Sequence, residues 1–170
     1  DIQGFVHKFN EEELPPQRYW LFNLYEIDKW EYSKSNKLAM MHYTENDPNL
    51  HQKDISRNIN VANKVKPGDW LVGYLPSKKI VGVGKVDREL FEDDAIENGF
   101  DGNWAERIGV NEWQYTSTPV FVEDFKEALG LILPNMLSTN AINEISKEGF
   151  KHAKKLLEDK FMKKPENNVI

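Results

Sequence analysis

The sequence predicts an α+β domain built on a small, strongly curved β-sheet, and three features of residues 64–86, KVKPGDWLVGYLPSKKIVGVGKV, predict it. Pro67-Gly68-Asp69 is a turn: proline presets φ, glycine tolerates positive φ, and aspartate bonds nearby backbone. WLVGYL and IVGVGKV are rich in β-branched and aromatic residues and are separated by PSKK, which is a β-hairpin pattern. Gly73, Gly82 and Gly84 interrupt those strands, where glycine marks sharp bending or the close approach of another backbone or a ligand. A tightly curled small barrel accounts for all three glycines. On the hairpin alone, an ordinary hairpin in any α+β domain fits equally well.

At 170 residues the chain is expected to form one domain, large enough to bury a core without staples. Cysteine is absent, which excludes disulfides, thiolate metal sites and thiol nucleophiles. His7, His42, His51 and His152 are scattered without metal-ligand spacing. No apolar run approaches the roughly 18 residues of a membrane span and no signal-peptide pattern is present, so a soluble, cytoplasmic protein is expected. The first residue is Asp1 rather than methionine, which raises the expectation of a fragment of something longer.

Net charge is −6, mildly against nucleic-acid binding, where phosphate contacts supply much of the affinity. Its distribution is uneven. Residues 51–85 carry seven basic side chains against two acidic ones, whereas 86–106 carry eight acidic against one basic. Such blocks are ordinary solvated faces or a polarised surface, and the basic block coincides with the hairpin.

In chain order, residues 1–17 form a polar, proline-broken lead-in. RYWLFNLYEI (18–27) alternates with both faces largely apolar and reads as a central strand. Asp28-Lys29-Trp30 leaves that strand, and 31–37 reads as a polar loop before a shorter strand in LAMMHYT (38–44). Asp54 is placed to cap a helix to about Lys64 with Ile55, Ile59 and Ala62 on one face. After the hairpin, 87–103 is an acidic, glycine-punctuated excursion with one helical turn around Phe91–Ile96. Ile108–Tyr115 and Pro119–Val122 read as two strands, EDFKEALGLI as a short helix and LPNMLSTNA as a loop. Ser146 caps the last helix, whose Phe150, Ala153, Leu157 and Phe161 share a stripe, and KKPENNVI has linker composition.

Signatures of catalysis are missing: no phosphate loop, dinucleotide fingerprint or nucleophile elbow occurs. Gly82-Val83-Gly84 lies inside a strand and opens no helix. Aromatic residues are in surplus instead. Of five tryptophans, Trp20, Trp70 and Trp113 fall in strands and read as core, while Trp30 and Trp104 fall in polar stretches. Trp104, in FDGNWAER, fits either satellite packing or base stacking beside a basic hairpin.

The succession RYWLFNLY, a loop with Trp30, a helix, KPGDWLVGYLPSKKIVGVGKV, a late strand from STPV and the closing STNAINEISKEGF resembles an EVE domain. EVE domains group with YTH domains in the PUA-like superfold. The resemblance spans about 18–160, and its most specific part is K-P-G-D-x-x-x-x-Y followed by V-G-V-G-K-V. It implies a PUA-like (EVE/YTH-like) mixed β-barrel flanked by helices over 18–162, after a lead-in at 1–17 and before a tail at 163–170. Domains of this kind bind nucleic acid carrying modified bases and seat a flipped base in an aromatic cage. Several stand at the amino terminus of McrB-type restriction proteins. The implied partners are DNA carrying a modified base (or RNA), a AAA+ GTPase motor on the same chain and a nuclease subunit. No cofactor, metal, membrane contact or enzymatic activity is implied for the domain itself.

Residue by residue, NWAERIGVNEW is similar to the YTH segment that carries a cage tryptophan, which puts Trp104 in that role. The other YTH cage tryptophan has no counterpart here; MMHYT stands in its place, leaving His42, Tyr43 or the neighbouring Trp30 for the second wall. Asp28 is near where YTH domains bond the base edge. Arg57, Lys64, Lys66, Lys78 and Lys79 of the basic block are the expected backbone contacts. Selectivity by a methyl group alone is modest, since burying it is worth about 0.8 kcal/mol. N6-methyladenine is the favoured base and a modified cytosine the alternative. The rival readings are a stand-alone reader of modified RNA, an ASCH-type nuclease or hydrolase on the same superfold, and a protein-interaction domain.

Overall fold

Asp69 is the pin of the architecture. The residue is 5% exposed, and its carboxylate accepts from the Trp20 indole at 3.0 Å, from Arg18 N at 3.1 Å and from Lys66 N at 3.0 Å. One side chain thereby closes the Pro67-Gly68 turn and fastens the first strand beside the hairpin. Gly68, at φ 97°, completes the turn and donates to Val86 O at 2.8 Å. Buried polar groups are as a rule bonded in this way.

The computed structural model describes residues 16–42, 49–93, 104–132 and 140–167, with side chains as far as residue 160. The elements are β1 (Tyr19–Asn23), α1 (Ile27–Asn36), β2 (Leu38–Met41), α2 (Gln52–Ala62), β3 (Trp70–Leu75), β4 (Lys79–Glu92), β5 (Glu106–Phe121), α3 (Phe125–Ala128), β6 (Ile142–Ile145) and α4 (Lys147–Asn167). Six strands form one curled sheet in the order β2-β5-β4-β3-β1-β6. β1 and β3 are parallel, and α1, β2 and α2 make the crossover such a pair requires. The other strand pairs are antiparallel.

Glycine lets the sheet curl. A Cβ on Gly84 would collide with Val110 and Trp113, and one on Gly82 would lie 3.1 Å from the Trp30 ring. The β4–β5 ladder also shifts register at four places between Ile80 and Phe91, and each bulge bends the ribbon. One face buries Trp20, Phe22, Trp30, Met41, Leu71, Val81, Ile108 and Trp113. The opposite face packs Leu21, Val72, Val83, Leu129, Phe150, Ala153 and Leu157 beneath α4.

Several expectations need correction. The strand expected at 18–27 ends at Asn23, and the polar loop expected over 31–37 is mostly helix α1. Only Trp30 and Ser33 of that helix are buried, so it carries almost no hydrophobic period to read. α2 begins at Gln52 with no side-chain cap, and Asp54 lies inside its first turn, where the helix dipole favours an anion. The two late strands are one, β5; Pro119 falls in the four-residue interruption of pairing between Tyr115 and Val120, where no ladder donor is needed. β4 runs through Phe91 and Glu92, so that part of the expected helical turn is strand, while 94–96 lie outside the described residues. The helix expected in EDFKEALGLI is only four residues long. Ser146 does cap α4, its Oγ accepting from Gly149 N at 3.0 Å, and the helix runs on to Asn167, through part of the linker-like tail. No helix among the described residues is long and apolar enough to cross a membrane.

Candidate nucleic-acid interface

Three chain segments deliver one aromatic ring each to a common place. At the end of β1, Leu24 N still donates to Tyr74 O at 2.9 Å, and the Asn23 side chain accepts from Tyr25 N at 2.9 Å. Tyr25 itself has φ 66°, with Glu26 N donating back to Leu24 O at 2.7 Å across it. This is a tight three-residue turn, uncommon for a bulky side chain, of the strained kind that gathers at functional sites. His42 follows β2 and Trp104 precedes β5. Because β2 and β5 are antiparallel with Met41 opposite Glu106, those two rings arrive at the same end of the sheet.

The rings interlock. Tyr25 and His42 are 4.6 Å apart at 78°, Tyr25 and Trp104 5.3 Å at 72°, and His42 and Trp104 4.7 Å at 48°. All three are half-buried. The Lys29 ammonium lies 5.2 Å from the Trp104 ring centroid and pairs with Asp28 at 3.0 Å and Glu26 at 3.5 Å. The hydrogen bond from Lys29, reinforced by its charge, holds the Asp28 carboxyl below its usual range. An aromatic face, a cation over it and a carboxylate at the rim together offer stacking, cation–π attraction and an acceptor for an N–H edge. Among the described residues, no group of three or more histidines and carboxylates is placed to hold a metal ion.

No family model matches the chain, and no curated protein matches it. Solved structures do. The YTH domain of Mmi1 aligns over 86% of this chain and 78% of its own length, with TM-score 0.57 and 11% identity. The YTH domain of Pho92 in complex with m6A covers 85% and 89%, with TM-score 0.53 and 14% identity. The YTH domain of Zygosaccharomyces rouxii MRB1 in complex with N6-methyladenosine RNA covers 84% and 92%, with TM-score 0.52 and 17% identity. The chain has a YTH-like fold.

The YTH-like sheet brings together Trp104, His42 and, through Lys29, Asp28. It does not bring Trp30 to them. Trp30 is 2% exposed on the inner face of α1, with its ring 5.2 Å from Trp113 at 89°; it is core, because the expected loop is a helix that turns this position inward. Tyr43 lies outside the described residues. Nothing in the sequence alone singles out Tyr25 or Lys29. Asn23, a residue that readily forms side-chain turns, was the one local signal that the chain breaks before Tyr25.

The five basic residues do not form one stripe. Lys78 and Lys79 sit at the β3–β4 turn, while Lys64 and Lys66 precede the opposite end of β3. Six strand residues separate them, about 20 Å. Arg57 pairs with Asp54 at 3.0 Å and donates to Asn140 at 2.9 Å, and Lys66 pairs with Glu89 at 3.3 Å.

Proposed function

We propose that the chain reads a modified base in nucleic acid, with N6-methyladenine the favoured base and Trp104 its stacking surface. The observation that carries this reading is the convergence of Tyr25, His42 and Trp104 from three separate segments, with Lys29 over the Trp104 ring. Fold neighbours crystallised with m6A and with N6-methyladenosine RNA support it. Stacking on Trp104 supplies about 1–3 kcal/mol but discriminates poorly between bases. Discrimination then rests on the shape made by His42 and Tyr25 and on Asp28, whose carboxylate can accept the single N–H left on a methylated exocyclic amine.

The same neighbours make RNA the first polymer to test. The resemblance to EVE domains adds DNA, with the chain as a targeting module ahead of a GTPase motor in a McrB-type restriction protein. Either way the base must leave its stack, and extruding it from a duplex costs a few kcal/mol. Single strands should therefore bind more tightly than duplexes of the same sequence. The test is a titration with single-stranded RNA, single-stranded DNA and duplex DNA, each carrying adenine, N6-methyladenine or 5-methylcytosine at one position. Preference for a modified base in any polymer supports the reading, and identical affinities across the modifications refute it.

A further inference from the structure

Arg107 lies on β5 three residues beyond Trp104 and is only 3% exposed. Its Nε donates to the Trp104 carbonyl at 3.0 Å. Its Nη1 reaches the Tyr32 hydroxyl on α1 and the Asp93 carboxylate beyond β4, each at 3.4 Å, and its guanidinium lies 5.4 Å from the Tyr32 ring centroid. Beside it, Asp93 N donates to Ala105 O at 2.8 Å. One buried cation thus touches the residue that follows β4, a tyrosine of α1 and the backbone that presents Trp104.

Burying a guanidinium carries a large desolvation cost, and an ion pair offsets it only with close, well-formed contacts. The contact to Asp93 is longer than the roughly 2.7–2.9 Å of a strong charge-assisted bond, and that carboxylate side chain is 35% exposed. As a stability device this pair is poor. The shortest bond Arg107 makes among these partners goes instead to the carbonyl of Trp104. A planar guanidinium fixes the direction of such a bond, as a flexible ammonium does not.

We propose that Arg107 is the positioning residue of the base-binding surface, clamping the Trp104 backbone so that the indole stands against Tyr25 and His42. Its consequence for binding rests on the base-reading function; the clamp itself does not. The clamp is tested in the whole chain with Arg107→Lys and Arg107→Met, following the indole N–H resonances of the five tryptophans and assigning that of Trp104 with Trp104→Phe. In Arg107→Lys the Trp104 resonance should shift or broaden while the other four stay in place. Affinity for single-stranded RNA with one N6-methyladenine should fall about tenfold, within the range of one base-stacking contact, at unchanged salt dependence. Arg107→Met should do the same, and if it fails to fold the lysine variant decides. A lysine variant with the Trp104 resonance and the affinity both unmoved overturns the proposal, whatever its melting temperature. If the unmodified protein binds none of the nucleic acids, the base-reading function falls, while the Trp104 resonance still decides the clamp.

Discussion

Replacing Trp104 by alanine removes a half-buried ring that touches two other half-buried rings. Its main cost should appear in binding, about 1–3 kcal/mol, with a cooperative melting transition retained. Trp30→Ala should behave in the opposite way. Its ring is 2% exposed against Trp113, so denaturation should show a loss of roughly 3–5 kcal/mol. Asp28→Ala should barely change stability at neutral pH, because the Asp28–Lys29 pair is solvent-exposed on the carboxylate side and worth a few tenths of a kcal/mol at most. Lys29 lowers the Asp28 pKa from 3.8, so the pair is intact above that value and is lost as pH falls through the still lower folded value. The same variant should lose more affinity for the modified base than for its unmodified counterpart; equal losses would make Asp28 a turn residue only. Trp104 stands out in the sequence as a candidate because a large apolar ring in a polar, glycine-containing stretch needs a reason, and it packs into an aromatic cluster. Trp30 looked alike in sequence, and only the helix around it turns it inward. Tyr25 is illegible because the turn that places it depends on a single positive φ.

Among the elements, the β4–β5 ribbon sets the shape that brings Trp104 to Tyr25. Gly84→Ala should cost about 1–3 kcal/mol by forcing Val110 and Trp113 away, measured as a lower denaturation midpoint with an unchanged slope. No neighbour within 4 Å opposes a Cβ on Gly68, yet its φ of 97° makes alanine strained there too. The hairpin was readable because glycine inside a strand has few roles besides bending it or admitting a close neighbour. α1 was not, since a helix that buries only Trp30 and Ser33 leaves no stripe to detect. In sequence β5 looks like two strands because a proline ordinarily ends one, and the bulge that tolerates Pro119 exists only through its pairing with β4.

For the whole molecule, the basic block of the sequence is divided between the two ends of β3. Lys78 and Lys79 stand at one end of β3 and Lys64 and Lys66 at the other. If the hairpin-turn pair follows phosphates, Lys78→Gln/Lys79→Gln should weaken modified and unmodified strands equally. It should also flatten the salt dependence by roughly 1.4 in log–log slope for a single strand. An unchanged slope would remove that turn from the interface. The curled sheet was legible as a whole because its turn, glycines and hairpin agree with one another. The candidate site is legible only in part, because it is assembled from residues about 80 positions apart, Tyr25 and Trp104, which no local pattern connects. The most direct test of the account is the affinity of the protein and of Trp104→Ala for two single-stranded RNAs that differ by one N6-methyl group. The protein should prefer the methylated strand by at least about fourfold, the worth of one buried methyl, and the folded alanine variant should show no preference. Equal affinity of the protein for both strands, in RNA and in the matching single-stranded DNA pair alike, or a preference that survives the loss of Trp104, would contradict it.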